Sequence, residues 1–168
     1  DLIYGVKGLK VHSKICLIER FKSHKKTYYG FISTGNFNES TAKVYSDFTL
    51  FTSNEKILKE INKVFEFLQS NYKIQHYNHL IVSPHHTSKK LFDLIDNEIK
   101  NVRKGLKGEI IFKLNSFTSY RFVDKLYEAS KFGVKVKLFV RGICCLIPNK
   151  LGLSENIEVK SVVDKYLE

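Results

Sequence analysis

An imidazole and an ammonium stand two residues apart near the start of this 168-residue chain, at His12 and Lys14. The apolar Val11, Ile15 and Leu17 alternate with them, and in a strand this period of two places both polar groups on one face. An imidazole is a good nucleophile near neutral pH, and a neighbouring ammonium neutralises the charge of a phosphoryl group. The pair favours phosphate chemistry, although a His-x-Lys pattern alone often arises by chance.

A second polar segment follows about twenty residues later, where residues 33–38 continue an apolar run. It offers hydroxyls, a glycine and the Asn36 amide, which can approach and donate to an oxyanion. Asp47 stands at the start of a further predicted strand and is a candidate to hold the second ring nitrogen of His12, which would fix its tautomer. We expect these groups to meet, because the partner strand returns towards His12.

The elements that must position these groups form a first unit. Three stretches of alternating, branched or aromatic residues predict strands: residues 9–18, 27–32 and 48–52. The charged stretch 19–26 predicts the turn between the first two strands. A helix is predicted from Asn54, because apolar residues then recur at helical spacing. The polar, aperiodic stretch 71–79 is typical of a linker, and we place a domain boundary after Tyr77.

The second unit is predicted to alternate strands with helices. A short apolar run at residues 80–82 predicts a buried parallel strand. The following periodic stretches predict a helix (91–102), a strand (109–114), a helix (122–130), a strand (134–140) and a further strand (157–163). This order favours right-handed crossovers and a mainly parallel sheet.

Polar side chains follow the strands of the second unit, at the end where an α/β sheet binds its ligand. Lys113 and Asn115 repeat the alternation of His12 and Lys14. This spacing fits a second phosphate-binding pair and fits a solvated strand end equally well. Arg141 ends the next predicted strand, and a guanidinium can bind phosphate through two parallel hydrogen bonds.

The composition is that of a globular and strongly basic protein, with 43% hydrophobic residues, a net charge of +11 and a pI near 9.5. Such a charge favours a polyanionic partner, and nucleic acid, a phospholipid surface, a nucleotide and polyphosphate all fit it. A lysine-rich compositional bias would give the same balance without any such partner.

Three cysteines, two of them adjacent, exclude a disulfide framework and favour a reducing compartment. No cluster of Cys and His has zinc spacing, so we expect no metal to be held by this segment alone. No apolar run is long enough to span a membrane, and the start resembles no signal peptide. Because the chain begins at Asp1 and contains no Met, we interpret it as a segment of a longer protein.

Four sequence blocks together resemble one known family over essentially the whole chain. They are Val-His-Ser-Lys at 11–14, Ser-Thr-Gly-Asn-Phe-Asn-Glu-Ser-Thr-Ala-Lys-Val-Tyr-Ser-Asp at 33–47, Val-Ser-Pro at 82–84 and Val-Arg-Gly-Ile-Cys-Cys-Leu-Ile-Pro at 140–148. The family is polyphosphate kinase of the histidine-phosphorylating type. The resemblance implies two phospholipase D-like α/β units with mixed or mainly parallel sheets and flanking helices: the end of a first catalytic domain at 1–77 and the first part of a second, incomplete domain at 78–168.

The resemblance implies that His12 takes the terminal phosphoryl group of ATP and passes it reversibly to inorganic polyphosphate. Lys14 and Asn36 would then neutralise and orient the transferring oxygens. Tyr45 and Arg141 match residues with which the family contacts its nucleotide. Lys113 and Asn115, found from their spacing, join them as candidate ATP- or phosphate-binding residues.

The resemblance also implies partners and a location. ATP, ADP and polyphosphate are expected as substrates, nucleic acid is not expected, and Mg2+ is expected for the full-length enzyme, with no metal held within this segment. The N-terminal half and the C-terminal end of the same polypeptide would be missing, so the isolated segment is expected to be inactive. The family is bacterial, cytoplasmic and sometimes membrane-associated, and we expect a homo-oligomer.

Two departures and two alternatives accompany this interpretation. Ser33 stands where the family usually has Gly, and residues 117–119 lack an acid that the family commonly has. A phospholipase D-like phosphodiesterase or nuclease would use the same His-x-Lys pair, but that class typically has an aspartate at the offset where this chain has Glu19. A non-enzymatic polyanion-binding module would need only the net charge.

Overall fold

The computed structural model describes residues 2–163, which divide into one unit that runs up to His85 and another that starts at His86. Each unit has a three-stranded sheet and flanking helices, so the predicted α/β class is confirmed. The domain boundary predicted after Tyr77 lies before this division, in the same stretch without helix or strand, and stays a prediction. Residues 1 and 164–168 of the two predicted domains lie outside the described part.

The first unit is an antiparallel sheet with one long helix. It contains, in chain order, β1 (Lys14–Lys22), β2 (Lys25–Ser33), α1 (Glu39–Ala42), β3 (Thr49–Thr52) and α2 (Glu55–Gln69). The strands follow one another in the sheet, with Lys14 opposite Ser33 and Gly30 opposite Thr52. The mixed or mainly parallel sheet expected for the first unit is therefore corrected, because both of its strand pairs are antiparallel, and the parallel pairing belongs to the second unit.

The first strand begins later and ends later than predicted. The segment before it turns back on itself, because the Leu9 amide donates to the Val6 carbonyl oxygen at 3.0 Å. The predicted turn over residues 19–26 is also wrong: both strands continue to a two-residue turn at Ser23 and His24, whose φ angles are 48° and 63°. Two positive φ values are typical of the type I′ turn that joins twisted antiparallel strands.

The long helix α2 begins where the sequence predicts. The Asn54 side chain accepts hydrogen bonds from the amides of Lys56 and Ile57 at 3.0 and 3.3 Å. Leu58 is fully buried against the sheet. A Cβ at Gly30 would overlap the Cys16 carbonyl oxygen and lie 2.9 Å from Leu58 Cδ2, so this glycine allows the helix and the sheet to pack closely.

The apolar run at residues 80–82 is not the strand that was predicted. The backbone amides of Asn78, His79 and Leu80 donate to the buried carboxylate of Glu60, at 2.8, 2.9 and 2.8 Å. Burial raises the pKa of Glu60, but the hydrogen bonds from these three amides and from the His79 ring outweigh it and lower the pKa to about 2. The segment is held on α2 through this carboxylate instead of by a sheet.

After the strand that does not form at residues 80–82, the second unit follows the predicted order. It contains α3 (Thr87–Arg103), β4 (Glu109–Leu114), α4 (Tyr120–Lys131), β5 (Lys135–Val140) and β6 (Ile157–Lys160). The three strands are parallel in the order β4-β5-β6. Its core joins Ile95 and Ile99 of α3, Leu126 of α4, and Val136 and Leu138 of β5. The predicted strand–helix–strand crossover is confirmed by β4, α4 and β5.

Candidate functional site

The predicted imidazole and ammonium are in contact. Lys14 Nζ lies 2.9 Å from His12 Nδ1 and 3.3 Å from Nε2. Lys14 is the first residue of β1 and is only 9% exposed, whereas His12 is exposed two residues before the strand. The expectation that both share a strand is therefore corrected, while their pairing is observed. The Lys14 backbone belongs to the sheet, and the His12 ring is accessible from solvent.

The turn after β2 lies beside this pair, because Ser33 is the strand partner of Lys14. The Ser33 hydroxyl accepts from the Gly35 amide at 3.1 Å and lies 2.8 Å from Thr49 Oγ1. The hydroxyl that departs from the family pattern thus stabilises the turn. The Phe48 amide donates to Thr34 Oγ1 at 3.0 Å, which attaches the turn to β3.

Asp47 packs against the turn. Thr34 Oγ1 donates to Asp47 Oδ1 at 3.3 Å, and a Cβ at Gly35 would overlap the Asp47 carboxylate. Within residues 2–163 the structure has no hydrogen bond between Asp47 and His12. The tautomer-fixing role of Asp47 therefore stays a prediction, and the contact that the structure does show is with the turn.

Asn36 and Tyr45 lie in the segment between β2 and β3. Asn36 is exposed in the turn, and its backbone carbonyl oxygen accepts from the Asn38 amide at 2.8 Å. Tyr45 follows α1, where its amide donates to the Thr41 carbonyl oxygen at 3.1 Å, and its side chain is 37% exposed. Among the described residues no hydrogen bond joins the Asn36 side chain to the His12–Lys14 pair, so its role also stays a prediction.

A cavity of about 540 Å³ opens beside His12 within the first unit. Its walls are mostly apolar and include Val11, Ile15, Ile32, Val64 and Phe67. His12 lies at the edge of this cavity and remains exposed to solvent.

In the second unit the structure brings two of the three predicted polar residues together. Arg141 Nε donates to Asn115 Oδ1 at 2.8 Å, at the carboxyl ends of β4 and β5. The Gly142 amide donates to the Asn115 carbonyl oxygen at 2.8 Å, and a Cβ at Gly142 would lie 2.7 Å from that oxygen. Lys113 is exposed on its strand, and no hydrogen bond joins it to Asn115 in the part of the chain that the structure describes.

Neither a metal-binding cluster nor a membrane-spanning helix occurs among the described residues. Across residues 2–163, no three His, Cys, Asp or Glu side chains are close enough together to hold a metal ion. The helices in the same range include none with the length and apolar character needed to cross a membrane.

Two family models match consecutive parts of the chain. They describe polyphosphate kinase C-terminal domain 1, at residues 1–74, and polyphosphate kinase C-terminal domain 2, at residues 80–168. The chain belongs to the polyphosphate kinase family. The resemblance carried by the four sequence blocks is thereby confirmed.

Individual polyphosphate kinases agree with the family models. The polyphosphate kinase of Klebsiella pneumoniae is 44% identical over 167 residues, which are 99% of this chain and 24% of that protein. That of Escherichia coli K12 is 43% identical over the same lengths. The crystal structure of the Porphyromonas gingivalis polyphosphate kinase has a TM-score of 0.85 at 38% identity, and covers 99% of this chain and 28% of that chain. The chain thus spans about a quarter of the length of the curated relatives that it matches.

Sequence reasoning missed Glu60, which is 4% exposed and positions residues 78–80 of this polyphosphate kinase chain. A signal was present, because Glu60 lies three residues after Ile57 and four before Val64, inside the apolar stripe of the predicted helix. A carboxylate at such a position must find hydrogen-bond donors when it is buried. The sequence alone does not say that backbone amides of a distant segment supply them.

Proposed function

We propose that this chain is the C-terminal part of a polyphosphate kinase that transfers the terminal phosphate of ATP reversibly to polyphosphate through a phosphohistidine at His12. The observation that supports it best is the Lys14 ammonium held 2.9 Å from the accessible His12 ring. Membership of the polyphosphate kinase family supports the same reaction.

The reaction has two displacements at phosphorus. In the first, the lone pair of a neutral His12 ring nitrogen forms a bond to the terminal phosphorus of ATP, and the phosphorus–oxygen bond to ADP breaks, with its electron pair leaving on ADP. In the second, a terminal oxygen of polyphosphate attacks that phosphorus, and the nitrogen–phosphorus bond returns its electron pair to the ring. Splitting the transfer avoids direct attack of one polyanion on another.

Lys14 changes partner during this cycle. In the structure the ammonium contacts the ring nitrogens, so it competes for the lone pair that must attack. When a phosphate enters, the ammonium moves to the phosphate oxygens, where it neutralises charge that develops in the transition state. The Asn36 amide donates to the same oxygens, and Asp47 orients the second ring nitrogen.

Arg141 and Tyr45 bind the nucleotide. Asn115 accepts from Arg141 Nε, which orients the guanidinium at the carboxyl ends of β4 and β5, and a guanidinium is suited to binding phosphate. Lys113 adds a further positive charge at the exposed side of the sheet.

Other components belong to the longer protein. Mg2+ is expected for the full-length enzyme, but the described residues do not form a site for it, so no step here runs through it. We propose that the rest of the same polypeptide completes the enzyme and that the enzyme is a homo-oligomer. Its proposed location is the cytoplasm, with peripheral attachment to the bacterial membrane in some members. Nucleic acid is not a proposed substrate.

Incubation of the full-length polypeptide with γ-labelled ATP tests the proposal. The label should be acid-labile and base-stable, as a phosphohistidine is, and His12→Ala should abolish it. His76→Ala, at an exposed histidine of the linker, is the matched control and should keep it. Label retained in His12→Ala would remove His12 from the mechanism, and phosphodiester cleavage without labelling would favour the phosphodiesterase alternative.

A further inference from the structure

The hairpin of β1 and β2 extends beyond the rest of its sheet. β3 pairs with β2 only from Gly30 to Ser33, so residues 18–29 have only each other as strand partners among the described residues. We call residues 18–29 the basic arm. A two-stranded ribbon without a third strand is marginally stable in water, so the contacts of its side chains affect whether it stays folded.

The two faces of the basic arm carry different charges. Directly opposed residues of an antiparallel pair share a face, and the pairs Arg20–Thr27 and Lys22–Lys25 lie on one face. Neither pair includes an acidic side chain. The opposite face carries Glu19, whose carboxylate binds Lys26 Nζ at 2.8 Å. One face is thus internally neutralised, and the other presents three cations.

The cationic face is unfavourable for the isolated hairpin. Lys22 and Lys25 are directly opposite each other, and like charges in that position destabilise a strand pair. Arg20, Lys22 and Lys25 are all exposed, and within residues 2–163 no ion pair compensates them. An anion bound between these side chains would remove their repulsion and stabilise the hairpin.

The same face leads to the candidate site. Along β1 the residues on this side are Lys14, Cys16, Ile18, Arg20 and Lys22, because alternate residues of a strand share a face. None of them is acidic. At the rise of a strand, Lys14 and Arg20 lie about 20 Å apart along the hairpin. A linear polyanion with its end at His12 can therefore reach the cations of the basic arm without passing a negative charge.

We propose that Arg20, Lys22 and Lys25 form a second binding surface for polyphosphate, which holds the chain at a distance from the terminal phosphate that reacts at His12. This inference rests on the proposed function, because it takes polyphosphate as the substrate of the same face. It predicts a dependence on chain length: tripolyphosphate is far shorter than the distance to the basic arm, whereas long-chain polyphosphate spans it.

Charge reversal in the full-length polypeptide tests this surface. Lys22→Glu with Lys25→Glu should weaken the binding of long-chain polyphosphate roughly tenfold, since each phosphate contact contributes a factor of a few at moderate salt, and should reduce the salt slope of binding by about 2. Binding of tripolyphosphate, the KM for ADP and kcat at saturating polyphosphate should be unchanged. Titration calorimetry gives the affinities, and ATP formation from ADP and polyphosphate gives the rates.

The matched control reverses two lysines on the other side of the sheet. Lys56→Glu with Lys59→Glu makes the same change in net charge on α2, and should leave both polyphosphate affinities near those of the wild type. The neutral pair Lys22→Gln with Lys25→Gln removes the charge with less risk to folding and should give a smaller loss with the same chain-length dependence.

Three results of the polyphosphate measurements would overturn the inference while leaving the proposed function intact. They are a wild-type affinity for long-chain polyphosphate in both arm variants, an equal loss for tripolyphosphate, and an equal loss in the α2 control. Loss of RNA or anionic-vesicle binding alone would assign the arm to another polyanion and would equally overturn it. If the wild type forms no ATP from ADP and polyphosphate, the proposed function fails first.

Discussion

At the scale of single residues, the site depends on a lysine that is nearly buried and a histidine that is not. The sheet fixes the Lys14 backbone, and the ammonium is left with the His12 ring as its hydrogen-bonding neighbour among the described residues. A cation whose backbone belongs to a strand, beside an exposed imidazole, suits the proposed transfer, in which the ring must accept a phosphoryl group and then release it. We therefore propose that Lys14 supplies the electrostatic stabilisation in the proposed phosphate transfer.

This assignment predicts a rate effect. Lys14→Ala in the full-length polypeptide should slow phosphorylation of His12 by about 10²-fold, the usual effect of removing one group that stabilises developing charge. Lys14→Arg keeps a charge of different shape and should lose less. The measurement is the initial rate of label transfer from ATP, with the exposed Lys7→Ala as control. An unchanged rate in Lys14→Ala would contradict the role.

At the scale of elements, the sequence predicts those whose two faces differ. In the second unit β4 and β5 alternate more and less buried residues, and both were predicted within one residue of their observed bounds, whereas the strand predicted at 157–163 ends at Lys160. The sequence predicts a turn at residues 19–22, where the structure has a strand, because a strand that is exposed on both faces has the polar composition of a turn. The run at 80–82 was mistaken for a strand, because its hydrogen-bond acceptor, Glu60, lies twenty residues earlier.

Within each unit, the types and order of the candidate residues were predictable from the sequence, and their contacts were less so. His12 with Lys14, and Asn115 with Arg141 at neighbouring strand ends, follow from short spacing and from parallel pairing. The contact of Asp47 with the turn depends on how β3 approaches β2, which local patterns do not contain.

The Glu60 carboxylate predicts a pH dependence of stability. Its folded pKa of about 2 lies below the ordinary 4.5, so its contribution is complete above pH 4.5 and is lost as the pH falls towards 2. The shift corresponds to about 3 kcal/mol. Glu60→Gln should lower the free energy of unfolding of this unit by that order at pH 7 and flatten its acid dependence. Urea unfolding at several pH values measures this, with Glu66→Gln, exposed on the same helix, as control.

At the scale of the whole chain, the net charge of +11 is spread over both units and exceeds the positive charge of the candidate site residues. Long polyanions respond to such a field more than small ones, because each neutralised phosphate releases counterions. The charge alone would also suit a binding module without catalysis. At this scale the electrostatic binding of polyanions must therefore be distinguished from catalysis of phosphate transfer.

The salt dependence of binding and the effect of replacing His12 distinguish electrostatic binding from catalysis. Raising the salt from about 50 to 200 mM should weaken long-chain polyphosphate binding to the full-length polypeptide by more than tenfold, and ATP binding by less, since ATP offers fewer phosphates. His12→Ala should leave both affinities and both salt slopes nearly unchanged, because the ring supplies the lone pair and not the charge, yet it should abolish phosphate transfer. Equal salt slopes for ATP and long-chain polyphosphate would contradict extended contact along the chain. Phosphate transfer that survives in His12→Ala would show that a residue other than His12 is the nucleophile.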